Sequence, residues 1–141
     1  MNVIYKQNEL IAWQYIELER RMGQQETAYM QAARALMYSR CVISAEIDGQ
    51  CIGMARLLGD SAIYWMIVDM RVVPEYQGCG IGSEMVKRLL DYVKCIAMPD
   101  TDISVSLMCA KDKEGFYERF GFQRRPHAYE GAGMELEMHI E

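Results

Sequence analysis

Residues 72–83 read Val72-Val73-Pro74-Glu75-Tyr76-Gln77-Gly78-Cys79-Gly80-Ile81-Gly82-Ser83. An apolar run ends at a proline, three glycines follow at spacing two, and a helical pattern begins. Pro74 cannot donate to a ladder, so a strand stops there. From about Gly82 to Ile96, Met85, Val86, Leu89, Leu90 and Val93 share one face, and Glu84, Lys87, Arg88, Asp91 and Lys94 share the other. The stretch reads as strand, glycine loop, helix. Glycines let the backbone approach a ligand closely, and the free N–H groups and positive dipole end of the helix favour an anion. A phosphate or pyrophosphate belongs here.

The spacing decides which kind of loop it is. A dinucleotide loop needs G-x-G-x-x-G, but counting from Gly78 the third glycine falls at Ser83, and the loop follows a third antiparallel strand instead of opening a repeated βαβ unit. A P-loop needs a Gly-Lys pair, and the chain has none. Both readings fail, leaving Gln77-x-x-Gly80-x-Gly82.

Upstream of the loop, Ala62 to Val73 reads as a strand, apolar on both faces over Ile63–Val68 and so expected to be central and covered on both sides. Before it, Cys41, Ile43, Ala45 and Ile47 alternate with Val42, Ser44 and Glu46, and Asp48-Gly49 predicts a hairpin whose return strand covers about Gln50 to Leu58. Ile11, Tyr15, Leu18 and Met22 predict a helix ending at Gly23, and a second helix runs from about Glu26 to Tyr38. A short strand at Val3–Lys6 is compatible with the pattern. Downstream, Asp102–Cys109 reads as a strand and about Lys113–Phe120 as a short helix capped by Gly121, with strands at Phe122–Arg125 and Gly133–Ile140. The order ααβββαβαββ describes a mixed α/β domain, an antiparallel meander feeding one β-α-β crossover, read as one domain over residues 1–141.

The chain has 141 residues, with 20 Asp+Glu against 15 Lys+Arg and a net charge of −5. An acidic balance argues against nucleic-acid or anionic-membrane partners, since either needs a basic face. No apolar run approaches the roughly 20 residues needed to span a bilayer. The first residues, Met1-Asn2-Val3-Ile4-Tyr5-Lys6, lack the charged and apolar regions of a signal peptide. The five cysteines are odd in number with no C-x-x-C, which fits small apolar residues in a reducing cytosol better than a disulfide framework. The expected location is cytoplasmic. His127 and His139 have no acidic or cysteine partner at ligand spacing, so no metal is expected.

The string V-x-P-E-Y-Q-G-x-G-I-G at residues 72–82 resembles the coenzyme A loop of the GCN5-related N-acetyltransferases. Gly115-Phe116-Tyr117-Glu118-Arg119-Phe120-Gly121-Phe122 resembles the family's F-Y-x-x-x-G-F segment, and one helix and one strand separate the two, as in the family. The likeness covers about residues 40–125. Ala55-Arg56-Leu57-Leu58-Gly59-Asp60, Asp69, Arg125-Pro126 and Gly131-Ala132-Gly133-Met134 resemble a bacterial subgroup of small stand-alone members. The resemblance implies an α/β fold of α+β type, with a mixed, mostly antiparallel sheet and helices on both faces. It also implies acetyl-CoA as co-substrate and direct acetyl transfer to a primary amine, with a small-molecule acceptor and a homodimer as compatible partners.

Residue by residue, the resemblance implies that free backbone groups of Val72 and Val73 bond the pantetheine arm, and that an N–H there faces the thioester oxygen. Gln77, Gly78, Cys79, Gly80, Ile81, Gly82 and Ser83 would hold the pyrophosphate. Tyr117 stands where a family tyrosine protonates the leaving thiolate; a phenol of pKa about 10 stays protonated at neutral pH. The family often carries Glu or His where this chain has Met66 and Val68, neither of which accepts a proton. Asp69 is the nearest carboxylate in an otherwise apolar strand, and is either the base or paired with Arg56 or Arg71. Glu46 is a weaker candidate, read as a solvated strand residue. Cys79 reads as a small filler, and Trp13, Tyr15 and Tyr29 as core residues or the wall of an acceptor pocket. A family asparagine after the fourth long strand is replaced here by Ala110-Lys111-Asp112-Lys113. A non-catalytic acyl-CoA-binding domain and a protein lysine or N-terminal acetyltransferase are the alternatives on the same scaffold.

Overall fold

The computed structural model describes all 141 residues, which divide into two compact units, Met1–Leu107 and Met108–Glu141. The first unit carries β1 (Ile4–Gln7), α1 (Ala12–Arg21), α2 (Tyr29–Met37), β2 (Cys41–Ile47), β3 (Gln50–Gly59), β4 (Tyr64–Val72), a 3₁₀ turn at Pro74–Tyr76, α3 (Ile81–Ile96) and β5 (Ser104–Leu107). The second carries α4 (Glu114–Glu118).

The sheet order is β1-β2-β3-β4-β5, antiparallel up to β4 and parallel between β4 and β5. A parallel pair needs a crossover, and α3 supplies it. The β2–β3 hairpin turns at Asp48 and Gly49, both left-handed at φ 52° and 78°, the primed geometry that Asp-Gly favours. Helices cover both faces. Gly53 of β3 faces α3, where an added Cβ would lie 3.3 Å from Met85 Cε. Arg56, of opposite parity on the same strand, lies over the Tyr15 ring of α1. Ile81, Met85, Val86, Leu89 and Val93 bury one stripe of α3 against β2, β3 and β4. The sequence pattern had the same stripe, except that Leu90 is only half-buried.

Polar side chains set the boundaries that periodicity misplaces. α2 starts at Tyr29, not Glu26, because the buried Glu19 carboxylate accepts from Thr27 N (2.9 Å) and Thr27 Oγ1 (2.7 Å), holding the chain extended before the helix. β4 starts at Tyr64, not Ala62, because Asp60 Oδ1 accepts from the N–H groups of Ala62, Ile63 and Tyr64 at 2.8, 2.8 and 3.1 Å. Nor are the two faces of β4 equally covered: Trp65 and Ile67 are buried, while on the other face Tyr64 is exposed and Met66 and Val68 are half-buried. Its place between β3 and β5 is as expected.

Neither C-terminal strand forms. Residues 124–131 are drawn into a turn in which His127 N donates to Glu130 O and Arg125 Nε donates to Gly131 O. Beyond it Met134, Leu136, Met138 and Ile140 alternate as in a strand but are exposed and join no ladder. Alternation makes a strand only where a partner takes up the backbone groups.

Gly59 closes the β3–β4 turn at φ 155°, and a Cβ there would sit 2.5 Å from Tyr64 O and 3.1 Å from Trp65 Cα. Backbone carbonyls cannot swing away as a flexible side chain does. Gly59→Ala is expected to cost about 2 kcal/mol or more, read by calorimetry as a Tm lower by roughly 4–8 °C.

Candidate active site

The glycine loop connects β4 to α3. Gly78 and Gly80 adopt left-handed φ of 77° and 83°, and no heavy atom lies within 4 Å of a Cβ built on either. The backbone, not crowding, therefore requires glycine here, and the space in front of the loop is open. Gly80 is the N-cap of α3 and supplies no side-chain acceptor. The first helical bond past the cap is Glu84 N to Gly80 O at 3.1 Å, so the N–H groups of Ile81, Gly82 and Ser83 are the unsatisfied donors of the helix start. Four glycine-loop residues, Gln77 to Gly80, are exposed. An uncapped, accessible helix start with room above it fits a pyrophosphate.

Gln77 works through its side chain. Its N–H already donates to Pro74 O (3.3 Å), while Nε2 donates to Val72 O at 2.8 Å, tying the loop to the end of β4. Val73 is internally spent: its N–H donates to Ile52 O (2.9 Å), its carbonyl accepts from Tyr76 N (3.0 Å), and its side chain is buried. Since Val73 faces β3 with its hydrogen-bonding groups, Val72 faces the opposite edge. On that edge the β5 ladder stops at Ile67↔Leu107. Of the two valines, Val72 is the one that presents its backbone to an open edge.

Between Ile67 and Val72 the strand is kinked. Arg56 pairs with Val68 and Met54 with Arg71, leaving Asp69 and Met70 opposite Ala55 alone. Asp69 takes φ 53°, a left-handed conformation that Asp tolerates better than most residues. Both of its oxygens are engaged: Tyr15 Oη and Arg56 Nε donate to Oδ2 at 2.8 and 2.7 Å, and Arg71 Nη2 lies 3.2 Å from Oδ1. Both expected arginines are thus partners, and Tyr15, read as core or pocket wall, is a third donor. Nothing in the helical spacing of Tyr15 marked it as a hydrogen-bond donor. Burial holds the Tyr15 phenol above its ordinary value, although the neighbouring Arg71 guanidinium pulls it down.

Other calls move. Glu46 is buried, not solvated, and pairs with Lys6 Nζ at 3.1 Å. Trp13 and Tyr29 are exposed, with ring centroids 4.6 Å apart, a surface pair and not core. Cys79 is exposed in the loop. No group of three or more His, Cys, Asp or Glu side chains is placed to hold a metal ion, and no helix is long and apolar enough to cross a membrane.

In the second unit, Gly121 at φ 95° ends α4. Phe122 N donates to Tyr117 O (3.4 Å) and Gly121 N to Glu118 O (3.0 Å), the paired bonds of a glycine-capped helix end. The accompanying apolar contact is Tyr117 against Phe122, centroids 5.9 Å apart, with Phe116 edge-on at 4.9 Å. The F-Y-x-x-x-G-F spacing is therefore what fixes the Tyr117 ring. Burial raises the Tyr117 phenol above its ordinary value, and the nearby Cys109 raises it further.

Residues 38–124 match the family model described as an acetyltransferase (GNAT) domain. The chain belongs to the GNAT acetyltransferases. A chloroplastic GCN5-related N-acetyltransferase of Arabidopsis thaliana is 36% identical over 84 residues, 60% of this chain and 31% of that protein. The chain spans between about a third and just over half of the length of the first curated relatives it matches. Among solved structures, a probable acetyltransferase from meticillin-resistant Staphylococcus aureus superposes with a TM-score of 0.84 at 24% identity, covering 97% of this chain and 100% of the other. An acetyltransferase of Clostridium acetobutylicum, solved with acetyl-CoA, superposes with a TM-score of 0.69 at 19% identity, covering 96% of each. The GNAT span takes in the glycine loop, Asp69 and Tyr117.

The cysteines divide by environment. Burial pushes the thiols of Cys41 and Cys51 up to about 11, whereas Cys79 and Cys95 are exposed. Thiolate is the reactive form, so iodoacetamide near neutral pH is expected to label Cys79 and Cys95 first. Peptide mass spectrometry should find Cys41 and Cys51 unmodified until the chain is unfolded.

Proposed function

We propose that this GNAT chain transfers an acetyl group from acetyl-CoA to a primary amine of a small molecule by direct attack. The observation that carries the reading is the uncapped start of α3, opened by Gly78 and Gly80 and tied through Gln77 to the unpaired edge at Val72. The loop amides of Gly78 to Ser83 take the pyrophosphate, and Val72 offers its N–H, and the remaining lone pair of the carbonyl that accepts from Gln77, to the amide-bearing pantetheine arm. The neighbour solved with acetyl-CoA supports the choice of donor.

The neutral amine attacks the thioester carbonyl carbon, a C–N bond forms, and the C–S bond breaks. Tyr117 gives its phenolic proton to the departing thiolate and recovers one from solvent. The raised Tyr117 pKa keeps the acid loaded at neutral pH, because a phenol ionises only as pH climbs past its pKa. Asp69 already accepts from three donors, so the proton of the amine leaves to water. The net charge of −5 favours cationic acceptors over long range.

Incubation with acetyl-CoA and a panel of primary amines, followed by mass spectrometry, should give an acetylated product. Coenzyme A binding without any product identifies the chain as a binding module instead. Tyr117→Phe is expected to lower kcat about tenfold or more with coenzyme A affinity intact, and unchanged turnover contradicts the assignment. Saturating coenzyme A should also shield Cys79, but not Cys95, from iodoacetamide.

A further inference from the structure

We propose that Asp69 is a positioning residue: it clamps the kink in β4 and thereby sets the backbone edge at Val72 that takes the pantetheine arm. This rests on the acetyl-CoA reading above.

The argument starts from strand parity. On β3, Met54 and Arg56 share a face; on β4 their partners are Arg71 and Val68, an odd and an even residue. One extra residue in β4 therefore flips every side chain after it to the other face. It brings Arg71 to the α1 side and turns the hydrogen-bonding groups of Val72 away from β3. A strand without that residue would put Arg71 with Trp65 and Ile67, on the face buried toward α3.

Something must hold the irregularity, because a left-handed residue in a strand is less favourable than an extended one. The clamp reaches across three elements. Arg56 comes from β3, Arg71 from β4 beyond the kink, and Tyr15 from α1, and all converge on the Asp69 carboxylate. The side chains of Arg56, Asp69 and Arg71 are only 12%, 16% and 15% exposed, so these bonds are shielded from water. Two guanidiniums on one carboxylate leave an excess positive charge. The Tyr15 ring lies 5.9 Å from Arg56 Cζ and 5.3 Å from Arg71 Cζ, within cation–π range. Arg56 is held in turn by Ser39 Oγ and Ala35 O at 3.0 and 3.3 Å, which anchors the clamp to the end of α2. Arg71 places Nη2 on the Asp69 carboxylate while its Nη1 is buried with no hydrogen-bond partner.

A clamp, a base and an ordinary structural residue predict different outcomes for two ligands. Coenzyme A uses both the loop and the Val72 edge; 3′-phosphoadenosine 5′-diphosphate, which lacks the arm, uses the loop alone. Asp69→Gly keeps positive φ accessible but removes every clamp bond. By calorimetry its affinity for coenzyme A should fall about tenfold or more, while affinity for the arm-less nucleotide stays within about twofold. A parallel loss for both ligands, or no loss for either, overturns the proposal. Tyr15→Phe removes one donor with little change of shape and should give a smaller selective loss; it decides the matter should Asp69→Gly fail to fold. Asp69→Asn should leave the shape of the pH–rate profile unchanged, and loss of its acid limb would make Asp69 the base. If the wild-type chain binds neither ligand, the acetyl-CoA reading falls separately. Amide exchange over residues 68–72 then judges the clamp alone: local acceleration in Asp69→Gly or Tyr15→Phe supports it, and unchanged exchange overturns it.

Discussion

β4 is paired to β3 on both sides of its kink, as far as Val72, but to β5 only as far as Ile67, and the proposed site is built from that mismatch. A strand in the interior of a sheet normally has both edges satisfied. Here the last residues of β4 keep one edge free, and the kink at Asp69 decides which residues own it. Val73 turns inward to Ile52, Val72 turns outward, and Gln77 ties the Val72 carbonyl to the loop that follows. The half-buried cluster of Tyr15, Arg56 and Arg71 around Asp69 stabilises a geometry that strand propensity alone would not select.

The second constraint is the left-handed backbone at Gly78 and Gly80, which leads into a helix with no side-chain cap. On the proposed reading, the two together let a chain of net charge −5 take an anion. The proposed recognition elements are backbone N–H groups and a helix dipole, neither of which appears in a count of lysines and arginines. Local geometry supplies the positive end that composition lacks.

What was legible in the sequence follows from how local each determinant is. The glycine loop, the Asp48-Gly49 hairpin and the Gly121 cap each depend on a backbone conformation that few residues adopt, so their identity announces them. The α3 stripe was legible because every contact repeats at helical spacing. The kink in β4 was not, since an apolar run with one Asp reads the same whether or not a residue is inserted. Its hint was energetic: a carboxylate in an apolar strand needs partners, and Arg56 and Arg71 are those partners, but Tyr15 arrives from a helix far away in sequence. The start of α2 and the burial of Glu46 were missed for the same reason, since each depends on a charged side chain meeting a partner, Glu19 with Thr27 and Glu46 with Lys6, that local pattern does not reveal. The C-terminal alternation from Met134 to Ile140 misled in the opposite direction, showing the right period without a ladder to join.

The most direct measurement is a crystal structure of the chain with coenzyme A. The account predicts pyrophosphate oxygens within hydrogen-bond distance of the N–H groups between Gly78 and Ser83, and the pantetheine arm bonded to the backbone of Val72, with Asp69 still held by Tyr15, Arg56 and Arg71. A coenzyme bound elsewhere, or one held through arginine and lysine side chains with the Val72 edge left free, would contradict it.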